Sequence, residues 1–541
     1  MTVLESALAP DSDVFRANAQ SMLGALEAVR AIEARNAAIV PAVGERLAKR
    51  NELSPRQRLD LLLDRGRMFI ELSRLAGLGL EGDTDGSAAG GGMILGIGTV
   101  CGVRCIVSVD NFVVKGGSLT QQGVLKKIRS QQIASEMKLP VVTLAQSGGA
   151  NLRYISDFFI EGARFFANRA RLSAQGLPQI TVVHGSATAG GAYDPGLSDY
   201  MIMVRKKASM YLAGPPLLKA ATGEIATEEE LGGAEMHCAV AGTAEYLAED
   251  DVDGIRIARD VLQALDWNRL VPEPPVPKYH EPLYSQEELL GVLPADPKTP
   301  FDMREVLARI LDGSEFLEFK GEFDAGTVCG HGAMEGLPVG IVANNYPITA
   351  RGAAKAAQFI QLCDQAQIPL LFAHNTTGFL VGTEQEQAGI IKHGAKMIQA
   401  VANARVPRIS LMLGGSYGAG NYAMCGRGLD PQFIFAWPTS RVAVMGGPQA
   451  AMVLRIVGEN RFQREGRPVD PESRARIEAE ANEAERLLEE KSRALYATAR
   501  LWDDGIIDPR DTRKLIAELL RICRDARHRT LQPNSFGVGR F

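Results

Sequence analysis

Apolar positions along the chain follow two different spacings, and these spacings predict its elements. Residues 14–50 place apolar side chains at helical intervals and are expected to form amphipathic helix. RMFIEL (67–72) reads as a strand and EGDTDGSAAGGG (81–92) as a Gly/Ser/Asp loop. MILGIGTVCGVRCIVSVDN (93–111) reads as strand, turn at Gly102, strand. A helix is expected over QQGVLKKIRSQQIASEMK (121–138), then a buried strand over LPVVTLA (139–145). Short apolar strands alternating with helices argue an α/β arrangement. RIEAEANEAERLLEEKSR (476–493) reads as a solvated helix. The Pro-rich, aperiodic VPEPPVPKYHEPLY (271–284) reads as a linker, dividing the chain into domains of residues 1–275 and 285–541.

The two halves resemble each other. LPVVTLAQSGGA (139–150) matches IPLLFAHNTTGF (368–379), and LPQITVVHGSATAGGAY (177–193) matches VPRISLMLGGSYGAGNY (406–422). One shift of 229 residues carries Pro140 to Pro369, Gly149 to Gly378, Pro178 to Pro407, Gly191 to Gly420 and Tyr193 to Tyr422. LLLDRGRMFIEL (61–72) matches ARILDGSEFLEF (308–319) with a different shift. A duplicated α/β unit follows from this agreement. Each half then has a strand (180–185; 409–414), a Gly-rich turn (186–193; 415–424) and a helix. Glycine lets the backbone turn tightly and approach a ligand. A helix starting there presents free N–H groups at its positive dipole end. Two such amides suit a developing oxyanion, and the candidate donors are Gly190 with Gly191 and Ala419 with Gly420. A phosphate loop or plain tight packing are the alternatives.

The rest of the sequence narrows the choice. Without a GxxxxGK[ST] run, a phosphate loop is disfavoured, and no GxSxG nucleophile elbow occurs. Ser147 follows a strand without an arguable His and Asp partner and reads as a loop residue. His374 and His393 lie near the turns and read as packing or hydrogen-bonding residues, as does His184 within its strand. The net charge of −5, without a basic run, argues against nucleic acid as a partner. Seven cysteines (Cys101, Cys105, Cys238, Cys329, Cys363, Cys425 and Cys523) form no CxxC pair and no metal-ligand spacing. They read as small core residues in a reducing compartment. No apolar run reaches the roughly 18 residues of a spanning helix and no signal peptide is evident, so a cytoplasmic, membrane-free protein is expected. Two oxyanion sites without a side-chain base suit enolate chemistry on a thioester whose co-substrate supplies the base.

These residues resemble a known family, the carboxyltransferase (β) subunits of biotin-dependent acyl-CoA carboxylases. The motifs that carry the resemblance run in order along nearly the whole chain. In the first half they are DNFVVKGGS (110–118), QSGGANL (146–152), TAGGAYDPGLSD (188–199), LAGPPLLKAATGE (212–224) and LGGAEMH (231–237). In the second they are NTTGFLVG (375–382), KHGAKM (392–397), GGSYGAGNYAMCGR (414–427), WPTSRVAVMGG (437–447) and LWDDGIIDP (501–509). Asn151 in QSGGANL and Tyr422 in GAGNY resemble the methylcrotonyl-CoA and geranyl-CoA branch rather than the propionyl-CoA branch. KGGSLTQ (115–121) stands where methylcrotonyl enzymes usually read KGGTYYP, His184 where they have Met and Asp194 where they have Val. HGSATAGGAY with ATGEIATEEELGGAEMH is closer to the geranyl-CoA type.

The resemblance implies two tandem crotonase-like domains of the ClpP/crotonase superfamily. It implies a carboxyl transfer from carboxybiotin to a branched enoyl-CoA, through a dienolate held by paired oxyanion holes. Acyl-CoA would bind mainly the first half, with Lys115, Gly148, Gly149, Ala189, Tyr193, Asp194 and Lys219 as candidate contacts. His184, Leu197 and Tyr422 are further candidates for acyl selectivity. Carboxybiotin would bind the second half, near Thr377, Gly378, Phe379, Gly418 and Tyr422. Biotin would be carried by a partner biotin carboxylase/carrier α subunit, with no biotin and no metal on this chain. The active site would lie between the first domain of one copy and the second domain of another, in a homo-oligomer with a hexameric core. A decarboxylase carboxyltransferase subunit and a non-catalytic acyl-CoA-binding scaffold are the competing readings.

Overall fold

The computed structural model describes residues 2–149, 154–272 and 278–540. Two mixed sheets of eight strands carry the chain. Strand β1 (Thr2–Val3) lies in the second sheet, next to β10 (Glu315–Glu318). The first sheet contains β2 (Ile70–Glu71), β3 (Met93–Val100), β4 (Val103–Asp110), β5 (Val141–Ser147), β6 (Gln179–Thr188), β7 (Tyr200–Val204), β8 (Ser209–Tyr211) and β9 (Tyr246–Ala248). Its order is β2-β3-β4-β5-β6-β7-β9, and β8 pairs with the end of β6. The second continues from β10 through β11 (Thr327–Met334), β12 (Leu337–Asn344), β13 (Leu370–Thr376), β14 (Arg408–Tyr417) and β15 (Phe433–Ala436), with β16 (Arg441–Ala443) on the end of β14. In each sheet an antiparallel hairpin opens a parallel run.

Local chemistry explains the match between halves. The hairpins β3–β4 and β11–β12 turn at Cys101–Gly102 and Glu335–Gly336, whose φ values are 49° and 75°, and 49° and 77°. Positive φ at both central residues matches the twist of the strands. The Asp64 carboxylate accepts both turn amides of the first hairpin at 3.0 and 2.7 Å, and Asp312 does the same in the second at 2.8 and 2.7 Å. The crossover helices Gln121–Met137 and Ala350–Ala366 begin at Thr120 and Thr349, whose hydroxyls accept the Gly123 and Gly352 amides. Strands β5 and β13 are buried on both faces, as parallel strands under helices must be. Each fully buried Val, Leu or Ile contributes about 1.5–3 kcal/mol. The 229-residue shift recurs in the geometry, because the β5–β6 register breaks between Ala145 and Ser147 and the β13–β14 register between His374 and Thr376. The fold is therefore the duplicated α/β unit expected from the repeats.

Three expectations shift in detail. The strand at RMFIEL shortens to Ile70–Glu71. Strands β6 and β14 run to Thr188 and Tyr417, into residues read as turn, because β8 and β16 supply hydrogen-bonding partners there. The chain divides between Pro274 and Pro275, within the segment read as linker, but the stretches at its two ends cross over. One compact unit takes the chain from Arg30 through the first half together with Ala499–Leu501 and the tail from Ile522, and the other takes the second half together with the residues up to Val29. Part of the Pro-rich segment, 273–277, lies outside the described residues. The acidic helix spans Pro471–Lys491 and buries only Ala481.

Candidate active site

In the first half, β6 ends at Thr188 and helix Gly190–Gly196 follows at once. The joint is Ala189, at φ 53° and ψ −121°, a conformation glycine adopts freely and alanine does not. Such strain costs about 1–3 kcal/mol and must be held by its surroundings. The Ala189 amide donates to the Tyr211 carbonyl on β8 at 3.1 Å, and the Ala189 carbonyl accepts from the Ala192 amide at 3.0 Å. The first amides of a helix have no partner within it, and no side-chain cap reaches those of Gly190 and Gly191.

A backbone strap runs alongside. The Gly148 amide donates to the Gly116 carbonyl at 3.0 Å, and the Gly149 carbonyl accepts the Leu119 amide at 2.9 Å. Ser147 donates its hydroxyl to the Gly117 carbonyl at 2.7 Å and accepts the Gly149 amide at 3.2 Å. A Cβ placed on Gly191 would sit 3.6 Å from the Gly149 Cα. The strap, Ala189, Gly190 and Gly191 therefore meet, with Lys115 exposed at the head of the 115–117 turn. Ser147 is committed to holding the strap. Asn151 lies outside the described residues.

The second half repeats the arrangement. Strand β14 ends at Tyr417, Gly418 takes φ 55°, and helix Gly418–Ala423 starts without a side-chain cap. Thr376 accepts the Gly378 amide at 3.2 Å, as Ser147 does for Gly149, and the Gly378 carbonyl accepts the Ile348 amide at 2.9 Å. Here the fit is tighter: a Cβ on Gly420 would lie 2.8 Å from the Gly378 Cα. Thr377 is exposed on the strap, and the Phe379 ring packs against the core beside Gly394. Tyr193 and Tyr422, one shift apart, are 50 % and 51 % exposed beside their turns.

The surrounding side chains are mostly buried and bonded to one another. Asp194, a candidate substrate contact, is buried, and its carboxylate receives Lys127 at 2.7 Å and Arg169 at 2.9 Å. Burial opposes its charge, yet the two cations hold the carboxyl below its usual range. Asp194 thus lies behind the turn, its carboxylate already taken by two partners. His184 is buried as well, donating through Nδ1 to Asp251 at 2.9 Å. Burial, assisted by the Arg58 charge, lowers its pKa to about 4. Arg58 joins Asp251 at 3.3 Å to the Gln146 side chain at 2.7 Å, tying β6 to the start of the strap. His374 shares a hydrogen bond with Ser416 at 2.9 Å, Asn421 donates to the same hydroxyl at 2.8 Å, and burial lowers the His374 pKa to about 3. Lys219 is exposed on helix Pro215–Thr222, which buries no residue, and Leu197 is partly covered at the exit of its helix.

Sequence reasoning missed Gln146 and Asn375. A Cβ on Gly185 would meet the Gln146 Nε2 at 2.6 Å, and one on Gly414 the Asn375 Oδ1 at 2.3 Å. Their equal shift was the available signal. Among the described residues, no cluster of three or more His, Cys, Asp or Glu is placed to hold a metal ion, and no helix is long and apolar enough to cross a membrane.

A duplicated α/β fold with a matched glycine-rich strand-to-helix turn in each half points to the carboxyltransferase class of enzymes. This chain belongs to the carboxyl transferase domain family, whose profile matches residues 47–537. It is 57 % identical to the β subunit of P. aeruginosa geranyl-CoA carboxylase, and the two structures superimpose over all of both chains with a TM-score of 0.94. It is 45 % identical over 521 residues to a probable biotin-dependent acyl-coenzyme A carboxylase beta2 subunit of Mycobacterium tuberculosis, covering 96 % of each chain. It is 44 % identical over 505 residues to the mitochondrial methylcrotonoyl-CoA carboxylase beta chain of Dictyostelium discoideum, covering 92 % of this chain and 84 % of that one.

Proposed function

We propose that this chain is the carboxyltransferase subunit of a biotin-dependent acyl-CoA carboxylase acting on a branched enoyl-CoA, with geranyl-CoA favoured over 3-methylcrotonyl-CoA. The matched pair of uncapped amide turns is the observation that carries the reading. The 57 % identity to a geranyl-CoA carboxylase β subunit favours the longer acyl chain. The first turn receives the thioester. Its carbonyl oxygen accepts from the Gly190 and Gly191 amides, and these bonds strengthen as the γ-proton leaves and charge spreads onto that oxygen as a dienolate. Tyr193 borders this turn, and Lys115 and Lys219 are exposed cations suited to CoA phosphates.

The second turn fits a ureido carbonyl. Ala419 and Gly420 provide two amides, Gly418 and Gly378 allow close approach, and Thr377 and Tyr422 border it on the exposed side. Carboxybiotin, brought by a partner α subunit, supplies the carboxyl group and, through its ureido oxygen, the base. His184 and His374 are buried and hydrogen-bonded to their own partners, and burial lowers their pKa values to about 4 and about 3, so neither is placed to serve as the base. Removing one oxyanion donor costs about 10²–10³ in rate. Exposed Phe159 and Ile160 in the first half, and Val381 and Ile391 in the second, support a homo-oligomer that buries them. Seven free cysteines suit a reducing cytoplasm.

The test is reconstitution with a biotinylated α subunit, ATP, bicarbonate and a panel of acyl-CoAs. ATP-dependent carboxylation of geranyl-CoA, lost in Gly191→Val and Gly420→Val while the oligomer persists, is the expected result. Tight CoA binding without turnover of any thioester would select a scaffold instead.

A further inference from the structure

The two turns are built alike, yet they are supported differently. Under the first, Asp194 sits on the last turn of helix Gly190–Gly196. Its carboxylate is held by Lys127 of helix Gln121–Met137 and by Arg169 of helix Phe159–Ala174. The same Arg169 Nη2 donates to the Asp194 carbonyl at 2.9 Å and to the Ser198 hydroxyl at 2.7 Å. Lys127 also lies 3.6 Å from Asp110, whose other carboxylate oxygen accepts the Gln146 amide at 3.1 Å beside the strap. These four charged residues are at most 7 % exposed. The cluster therefore joins the helix that carries the Gly190 and Gly191 amides to two neighbouring helices and to the strap.

Under the second turn the 229-residue shift puts Ala356, Ile398 and Ala423 at the places of Lys127, Arg169 and Asp194. The second turn instead has a hydrogen-bonded group in which His374 and Asn421 both meet the Ser416 hydroxyl. A buried charge cluster is costly to desolvate and is often no more stabilising than apolar packing. The second half forms the same turn without it.

We propose that Lys127, Arg169 and Asp194 are positioning residues that aim the Gly190 and Gly191 amides at the thioester oxygen. The proposal rests on the carboxyltransferase reading. A donor displaced by about 1 Å loses on the order of 10²-fold in rate. A cavity of about 20 Å³, lined in part by Ser108, Gln131 and Phe165, lies against the cluster.

The experiment uses the reconstituted holoenzyme with geranyl-CoA. Asp194→Asn, which leaves two cations facing a neutral amide, is expected to lower kcat by about 10²-fold with KM changed less than about threefold. The charge-balanced Lys127→Met/Asp194→Asn variant is expected to regain most of the thermal stability while kcat stays low. Recovery of kcat in step with stability would make the cluster structural and overturn the proposal. Should the double variant fail to fold, Arg169→Lys decides. It keeps the charge but withdraws the Nη2 that meets the Asp194 carbonyl, its carboxylate and Ser198, so a wild-type kcat there is equally fatal. Gly191→Val separates this from the underlying reading. If it is inactive while Asp194→Asn is fully active, only the positioning role falls. If Gly191→Val retains activity, the carboxyltransferase role of the first turn falls with it.

Discussion

At the scale of single residues, two glycines related by duplication are not equally constrained. A Cβ on Gly191 meets ordinary van der Waals distances, whereas one on Gly420 meets the Gly378 backbone at 2.8 Å. Backbone cannot yield as a flexible side chain does, so the helix carrying the second pair of amides must move. Gly420→Ala is therefore expected to lower kcat by about 10²-fold, and Gly191→Ala by less than about tenfold, in the reconstituted assay. His184 makes a different prediction. Burial and Arg58 lower its pKa to about 4, against about 6.5 when exposed. The unfolded chain thus binds a proton that the folded one refuses. The stability from neutral His184 is fully present above about pH 6.5 and is lost as pH falls toward 4, at about 1.4 kcal/mol per pH unit. His374 acts in the same direction. Replacing His184 with Met should flatten the fall of the unfolding midpoint between pH 6.5 and 4 by one proton's worth. An unchanged slope would show that this ring is not held neutral.

At the scale of elements, each turn depends on a short partner strand that arrives later in the chain. Gly-rich stretches such as GSAT and GGSY have weak intrinsic strand preference. They become strand because β8 and β16 lie parallel to them. The tail of the chain adds a further restraint. Arg540 donates to the carbonyls of Leu197 and Ser198 and to the Asp199 carboxylate, just after helix Gly190–Gly196. Charge-assisted bonds of this kind contribute about 1.5–3 kcal/mol each when well buried. Arg540→Ala should lower the unfolding free energy by about 2 kcal/mol, measured by denaturant titration, and should lower kcat through the loosened helix exit. A variant with native stability and kcat would remove the tail from the support of this helix.

At the scale of the whole molecule, the termini change halves. Strand β1 pairs with β10 of the second sheet, and the residues from Ile522 belong to the first compact unit. If active sites combine the first turn of one copy with the second turn of another, two inactive variants should rescue each other. Co-assembly of Gly191→Val chains with Gly420→Val chains creates sites in which both turns are intact. Activity in the mixed oligomer, absent from either parent, is the expected result. An inactive mixture, with both chains confirmed in one oligomer, would place each site within a single chain.

What the chain determines by itself is whatever depends on neighbours in sequence. Apolar runs, hairpin turns, helix caps and the 229-residue repeat all belong here, and so do Gly190, Gly191, Ala419 and Gly420, because a glycine-rich strand-to-helix joint is a local device. What only the folded chain decided depends on residues far apart. Asp194 became a buried anchor because Lys127 and Arg169 approach it from separate helices. The strands outran their expected ends because later segments pair with them, and the terminal stretches joined the opposite compact units because their packing partners lie far away in sequence. Local propensity carries no record of such partners, since the pairing is selected by backbone groups that must be satisfied wherever the tertiary fold brings them together.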